Sequence, residues 1–147
     1  MKALEFIAYG EPKGQPRARS TIRRGNGGKV FSGVYDPGTA DDWKSIVRAA
    51  ALEKWDRVQF KGPTSVSIRA FFPRPKYHFN SKGELKPTAP RRHTNKPDRD
   101  NLDKAILDAL VSCGVLADDC IVCAGGIAKW YSESVPYAEI VVAWLED

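Results

Sequence analysis

Four aspartates and one lysine in the second half of the chain have the types and spacing that metal-assisted chemistry needs. Asp98 and Asp100 are two residues apart, and Lys104 follows Asp100 by one helical turn. In extended backbone, residues two apart point to the same side, so these two carboxylates should converge. Asp118 and Asp119 come 18 and 19 residues after Asp100. That distance lets a helix end and the chain return a carboxylate towards the start of the helix.

Carboxylates that converge in this way need a positive charge between them. Three of them would repel one another, and a cation relieves the repulsion. Hard oxygen ligands suit Mg²⁺ or Mn²⁺. Such an ion can polarise a phosphoryl oxygen and help to deprotonate a water molecule. Lys104 could then stabilise the negative charge of a phosphorane-like transition state.

Each aspartate also has an ordinary structural interpretation. Asp100 suits the N-cap of a helix, Asp98 suits a turn after a proline, and Asp118-Asp119 suits a polar turn. Some glycosyltransferases also use an Asp-x-Asp pair to hold a metal-bound nucleotide sugar. No phosphate-cradling glycine loop accompanies the pair, because Gly25–Gly28 lies in a basic loop without a strand and helix around it. Spacing alone leaves these alternatives open.

The clearest helix lies between the two aspartate pairs. The sequence predicts that Asp100 caps a helix over Asn101–Cys113 and that Gly114 ends it. Its apolar residues recur at i, i+3, i+4, i+7, i+8 and i+11, as on one face of a helix: Leu102, Ala105, Ile106, Ala109, Leu110 and Cys113.

The rest of the chain predicts strands and one more helix around this one. A second helix should run from a cap at Thr39 or Asp41 to about Trp55. Residues 120–131 and 137–145 should form two strands joined as a hairpin by Glu133–Pro136. The order of elements predicts an α/β (α+β) fold, with residues 1–147 as a single domain in which helices pack on a mixed β-sheet. The other predicted strands are Ala3–Tyr9 and Thr64–Phe72.

Two long basic segments interrupt these elements. Residues 1–104 contain 22 of the 23 Lys and Arg but only 11 of the 18 Asp and Glu. Such a charge distribution suits a polyanion. Residues 11–29 predict a flexible basic loop or loose hairpin, and 73–97 a long irregular segment whose aromatic rings could stack on nucleic-acid bases. The bases we predict to contact DNA are Arg17, Arg19, Arg23, Arg24, Arg91, Arg92 and Lys96.

The cysteines and the N-terminus favour a cytoplasmic protein. Cys113, Cys120 and Cys123 are an odd number, which argues against a secreted disulfide framework. We expect ordinary buried or half-buried thiols. Residues 1–10 lack the features of a signal peptide, and no apolar run is long enough to span a membrane, so we expect no membrane association.

The central motif resembles a known family. Pro97-Asp-Arg-Asp-Asn-Leu-Asp-Lys-Ala-Ile-Leu-Asp-Ala-Leu110, followed by Gly114-Val-Leu-Ala-Asp-Asp119, closely resembles the RusA family of Holliday-junction resolvases. Its pattern is D-x-D-N-L-x-K, then D-A-L on a helix, then a paired D-D before a strand. Gly14-Gln-Pro-Arg-Ala-Arg19 and Tyr35-Asp-Pro37 look more loosely like the phage and prophage members.

This resemblance implies a function and roles for individual residues. It implies a homodimer that binds four-way DNA junctions in recombination and repair and nicks two opposed strands, using Mg²⁺ or Mn²⁺ and no nucleotide cofactor. The essential aspartates of the family fall on Asp98, Asp100 and Asp119, and its lysine on Lys104. Asp118 is a further candidate ligand, and Asn101 matches as a group that orients a ligand or contacts phosphate. The alternative is a prophage protein that binds branched DNA without catalysis.

Overall fold

The computed structural model of the protein describes residues 2–16, 19–24, 30–35 and 40–146, of which 19–24 and 30–35 are described by their backbone alone. Its main sheet has five strands, and two helices and a separate two-stranded hairpin complete the fold. The elements are β1 (Ala3–Tyr9), β2 (Arg19–Arg24), β3 (Val30–Tyr35), α1 (Asp41–Lys54), β4 (Thr64–Phe72), α2 (Arg99–Ser112), β5 (Val122–Ala124), β6 (Ile127–Tyr131) and β7 (Tyr137–Trp144).

The main sheet is mixed, as predicted. Strand β7 is antiparallel to β1 on one side and to β4 on the other, while β5 and β6 both pair with β4 in parallel. Parallel neighbours need a crossover, and α2 supplies it between β4 and β5. The two aspartate pairs lie at the beginning and beyond the end of this crossover helix.

Both helices cover one face of this sheet. The alternating pattern of β1 buries every second residue, and the register places Phe6 opposite Ile140 and Ile140 opposite Ile68. These side chains form one apolar cluster with Trp43 of α1 and Ile106 of α2. Trp43 is 2% exposed, so it is a core residue, as its helical spacing predicts. The cluster holds α2 in a fixed position against the sheet.

The single strand that we predicted over 120–131 is wrong. Asp119–Ile121 form a 3-10 turn, and β5 and β6 are separated at Gly125. Gly125 has φ +113°, and a Cβ there would lie 1.9 Å from the carbonyl oxygen of Val66. The backbone of Gly125 therefore packs directly on β4, and only glycine allows that approach.

The predicted hairpin between the last two strands is also wrong. Strand β4 lies between β6 and β7, so the connection of residues 132–136 crosses the end of β4. The Ser132 N–H donates to the Phe72 carbonyl at 2.8 Å, and the Gly10 N–H donates to that of Pro136 at 3.1 Å. Because β7 lies between β1 and β4, its alternate apolar residues are fully buried. An edge position beside β6 would not bury them fully.

Both helices begin without the caps that we predicted. Helix α1 has Ala40 at its N-cap, and Asp41 is its first residue; Thr39 lies outside the described residues. Helix α2 begins at Arg99 after Asp98, and neither N-cap makes a side-chain hydrogen bond. Asp100 therefore lies in the first turn of α2, where its charge suits the positive end of the helix dipole.

The two basic segments have more structure than loops. Strands β2 and β3 pair in antiparallel register, in agreement with the loose hairpin that was one of the two alternatives for the first segment; β2 lies within that segment and β3 directly follows it. In residues 73–97, the Arg74 side chain is only 4% exposed and donates to the Glu133 carboxylate at 2.7 Å. The Tyr131 N–H donates to the Arg91 carbonyl at 2.9 Å, which ties the end of the segment to β6. These contacts hold the segment against β6 and against the connection that follows it.

Across the part of the chain that the structure describes, neither helix is long and apolar enough to cross a membrane.

Candidate active site

The start of α2 separates Asp98 from Asp100. Asp98 has extended backbone, whereas Asp100 is already helical, so the same-side geometry that we predicted for the pair is wrong. Asp98 and Asn101 line a cavity of about 400 Å³, named here the Asp98 cavity. Asp100 lines another of about 550 Å³ together with Asp103, named here the Asp100 cavity. Both aspartates are exposed, and each faces a different side of the helix start.

Asp118 and Asp119 form an interacting pair of carboxyl groups. The hydrogen bond with Asp118 raises the pKa of Asp119 above its usual value, and the nearby negative charge adds to the rise. The same hydrogen bond, followed by backbone N–H groups including that of Cys120, lowers the pKa of Asp118. The pair thus holds a proton on Asp119 more firmly than on Asp118. Such crowding of exposed carboxyls is relieved by a nearby positive charge.

Lys104 connects the pair to α2. Its charge opposes the rise in the pKa of Asp119, and that of Asp108 adds to it, so all three groups interact. Lys104 Nζ also lies 3.8 Å from the Asp108 carboxylate, one turn along the helix. The 3-10 turn that contains Asp119 packs against α2, close enough for the Lys104 charge to act on the Asp119 carboxyl. The predicted return of a carboxylate to the start of the helix, beside Asp98 and Asp100, stays a prediction.

Sequence reasoning missed two charged residues beside these aspartates. Lys129 on β6 donates to the Asn95 carbonyl at 2.6 Å; partial burial lowers the pKa of Lys129, and the Asp98 carboxylate opposes that effect. Asp103 of α2 is half-buried, and this burial raises its pKa. One sequence feature could have pointed to Lys129, because it is the only Lys or Arg after residue 104.

The predicted DNA contacts fall into three groups. Lys96 and Asn101 line the Asp98 cavity. Arg91 and Arg92 are exposed at the outer edge of β6, where the Arg92 guanidinium lies 4.4 Å from the centre of the Trp130 ring. Arg19, Arg23 and Arg24 belong to β2, and Arg17 lies outside the described residues.

The rings and thiols are placed differently from the sequence-based expectation. Tyr77 and Phe79 are exposed, but His78 is 2% exposed and packs edge-on against Tyr131, so His78 cannot stack on a base. Cys120 and Cys123 are exposed rather than buried, and Cys113 is half-buried.

As oxygen donors, the carboxylates suit a hard cation, but their side chains are not gathered around one position for such an ion. Within residues 2–16 and 40–146, the described side chains form no group of three or more His, Cys, Asp or Glu that could hold a metal ion. Asp98, Asp100 and Asp119 are nevertheless all exposed oxygen donors. Binding one cation with all three would require these side chains to turn towards each other.

Two comparisons with known proteins bear on this site. The sequence model of the family Endodeoxyribonuclease RusA matches residues 9–143. The uncharacterized protein YqaN of Bacillus subtilis (strain 168) is 34% identical over 145 residues, which cover 97% of this chain and 96% of YqaN. The matched family region contains every aspartate of the candidate site.

Proposed function

This chain belongs to the RusA family of endodeoxyribonucleases, and we propose that it cuts four-way DNA junctions by paired nicks in a Mg²⁺-dependent reaction. The observation that carries the proposal is that the 3-10 turn of Asp119 packs against α2, where the Lys104 charge acts on the Asp119 carboxyl. It brings a carboxyl from beyond the helix to the same element that begins with Asp98 and Asp100. Acidic and basic groups that meet in this way suit phosphodiester hydrolysis.

We assign the roles as follows. Asp98, Asp100 and Asp119 hold the cation, and Asp118 is a further ligand or sets the charge of Asp119. When bound, the cation (Mg²⁺, with Mn²⁺ as a substitute) activates water and neutralises charge on the phosphate. Lys104 places its ammonium near the cleaved phosphate, where the negative charge grows in the transition state.

The basic segments provide the grip on the DNA backbone. Arg17, Arg19, Arg23 and Arg24 form one arm of this grip. Arg91, Arg92 and Lys96, with Asn101, act closer to the carboxylates, since Lys96 and Asn101 line the Asp98 cavity. Contacts of this kind position a protein on DNA and release counterions.

A homodimer follows from the symmetry of the substrate. A four-way junction needs two cuts at related positions, and a twofold dimer supplies two sites with that relation. Each chain contributes the aspartates of one site.

One observation favours a second candidate, a protein that binds branched DNA without cutting it. Among the described residues, no three metal-binding side chains are gathered in one place. Such a protein would bind junctions in Mg²⁺ and leave every strand intact.

The experiment that separates the two candidates uses labelled synthetic four-way junctions and matched linear duplexes, each with Mg²⁺ and with EDTA. The nuclease nicks two opposed junction strands in Mg²⁺, leaves the duplex intact and does nothing in EDTA. Binding without any nick, in both Mg²⁺ and Mn²⁺, would establish the second candidate instead.

A further inference from the structure

The Asp98 cavity brings together two sequence motifs that are far apart in the chain. Gly14 packs on the start of α2 so closely that a Cβ there would lie 2.9 Å from Asn101 Cβ and 3.0 Å from Pro97 Cβ. The Gln15 N–H donates to the Asn101 carbonyl at 2.8 Å. The Gly14-Gln15-Pro16 motif is therefore fixed against the aspartate motif, and the space between them is the cavity.

His93 lines the cavity and carries a buried polar atom. His93 Nδ1 is buried, and it has no hydrogen-bond partner among the described side chains and backbone. The ring is fixed by Phe72, which stacks on it with centroids 3.9 Å apart, and by an edge contact with Tyr131. Partial burial, and then the charge of Lys129, lowers the pKa of His93. The ring is therefore neutral at neutral pH, with one nitrogen that donates and one that accepts.

A second polar side chain lines the same space. Gln15 is 6% exposed, and its amide carries both donors and an acceptor. A fixed imidazole and a fixed amide together match the mixed donor and acceptor edge of a nucleobase. An unpaired buried nitrogen is costly unless a ligand or water satisfies it, so a polar ligand edge suits this wall.

The size and charge of the cavity fit a nucleotide. Its volume of about 400 Å³ lies within the usual range for small-molecule sites, about 300–1,000 Å³. Lys96 is exposed among the lining residues and suits phosphate, whereas Lys13 lies 3.4 Å from the Glu11 carboxylate, which also lines the cavity. Asp98 is also in the lining, so a nucleotide held here lies next to the proposed reaction centre.

We propose that the Asp98 cavity receives an unstacked nucleotide next to the cleaved phosphate and that His93 and Gln15 read its base. This inference rests on the proposed function for the position of the cut. The residues that line the cavity then determine at which bases the DNA is cut. It also gives the Gly14-Gln15-Pro16 motif a role in recognising a base, separate from the phosphate contacts of the basic residues.

The test of base reading compares cleavage of junctions that differ only in the bases flanking the cut. In wild type, the single-turnover rates on the best and worst bases should differ at least about tenfold, the size of one good base contact. His93→Phe keeps the ring stacked on Phe72 but removes both nitrogens, and Gln15→Leu removes the amide. Each should bring the ratio to within about threefold, a loss of one base contact. Unchanged ratios in both variants would overturn the inference.

The matched control is His78→Phe. His78 is also buried and also packs edge-on against Tyr131, but it is not among the residues that line the cavity. This variant should keep the wild-type ratio. A ratio that collapses equally in His78→Phe, or only in variants whose melting temperature has fallen, would show that packing rather than base reading sets the preference, and would also overturn the inference.

A second measurement does not depend on cleavage. The fluorescent base 2-aminopurine, placed in turn at each position around the crossover, brightens when it is unstacked. With the full-length protein in EDTA, one position should brighten with wild type and with His78→Phe, but not with His93→Phe or Gln15→Leu. If junctions bind and no position brightens, the cavity does not hold a base, whatever the nuclease assay gives. If brightening occurs as expected but no strand is ever cut, the proposed nuclease function fails and the cavity remains a base site.

Discussion

The two aspartate pairs at the two ends of α2 have the same composition but different arrangements. Asp98 and Asp100 lie on either side of the start of the helix and line different cavities. Asp118 and Asp119 are adjacent around a 3-10 turn, and each shifts the pKa of the other. The first pair is thus separated by backbone geometry, while the second is joined by it.

This difference shows that spacing along the chain does not by itself fix which carboxylates act together. Where α2 begins decides the direction of Asp100, and where the chain turns after α2 decides that Asp119 reaches Lys104. The proposed site therefore requires Asp98 and Asp100 to act with Asp119, which follows α2 in the chain but interacts with Lys104 in the first half of the helix. The predictions below separate the contributions of the two pairs.

The largest effect is expected from neutralising the proposed ligands one at a time. Asp98→Asn, Asp100→Asn and Asp119→Asn should each abolish junction cleavage, because each removes a metal-binding charge without adding bulk. Junction affinity should be unchanged or higher, since repulsion of the DNA phosphates falls. Single-turnover cleavage and binding in EDTA measure the two quantities separately.

The matched control is Asp42→Asn, an exposed aspartate in the first turn of α1. It should cut like wild type. Asp108 is a poorer control, because its charge acts on both Lys104 and Asp119. Activity within about tenfold of wild type, or about 1.4 kcal/mol in the barrier, for any of the three variants would remove that aspartate from the site.

A smaller effect is expected from Lys104, which lies between the two pairs. Lys104→Ala should lower the single-turnover rate at least about tenfold, or about 1.4 kcal/mol, because its attraction grows with the charge of the transition state. Junction affinity should change much less, and Lys104→Arg should restore only part of the rate. Equal losses of affinity and rate would make Lys104 an ordinary phosphate contact, and a matching loss of thermal stability would make it structural.

The four arginines of the first basic segment should affect DNA binding more than they affect the reaction at either aspartate pair. Replacing Arg17, Arg19, Arg23 and Arg24 by Ala should weaken junction binding and reduce the slope of log affinity against log salt by up to about 0.9 for each lost phosphate contact. The cleavage rate at saturating protein should change less than the affinity. An unchanged salt slope would mean that these arginines do not touch phosphate.

The smallest effect is expected on the titration of Asp119. Asp118→Asn should lower the pKa of Asp119 in the metal-free protein, because the neighbouring negative charge that favours its proton is gone. Lys104→Ala should raise that pKa, because the ammonium that opposes the rise is removed. Carboxyl carbon NMR of Asp119 across acidic pH measures both shifts. Shifts of the same sign in the two variants would contradict the proposed proximity of these groups.

The elements around the site could be predicted from sequence wherever one periodic pattern decides them. Strands β1 and β4 have the predicted bounds, because alternation marks one buried face, and the body of α2 follows its apolar spacing. The position of β7 could not be predicted, since alternation shows that a strand has a buried face but not which strands lie beside it. The break at Gly125 depends on contact with the backbone of β4, which is equally invisible in a local pattern.

The same distinction between local sequence patterns and tertiary packing applies to the candidate site. The motif pointed to candidate residues at both ends of α2, and their roles stay predictions; the interaction of Asp119 with Lys104 is compatible with the chain length between them. Lys129 and Asp103 were missed because their positions beside the aspartates are set by the packing of β6 and α2. The convergence of Asp98 with Asp100 was wrong because the helix starts at Arg99, two residues earlier than a cap at Asp100 allows.

The most direct test of whether the two pairs form one site is the binding of Mn²⁺ by the full-length protein, measured by electron paramagnetic resonance for wild type, Asp98→Asn, Asp119→Asn and the double variant. If the carboxylates act together, each single substitution weakens binding of the same ion, and the double variant loses little more than the worse single one, as for residues that act as a unit. If instead Asp98→Asn leaves Mn²⁺ binding unchanged while Asp119→Asn removes it, or the two losses simply add, the pairs are independent and the proposed single metal site is wrong.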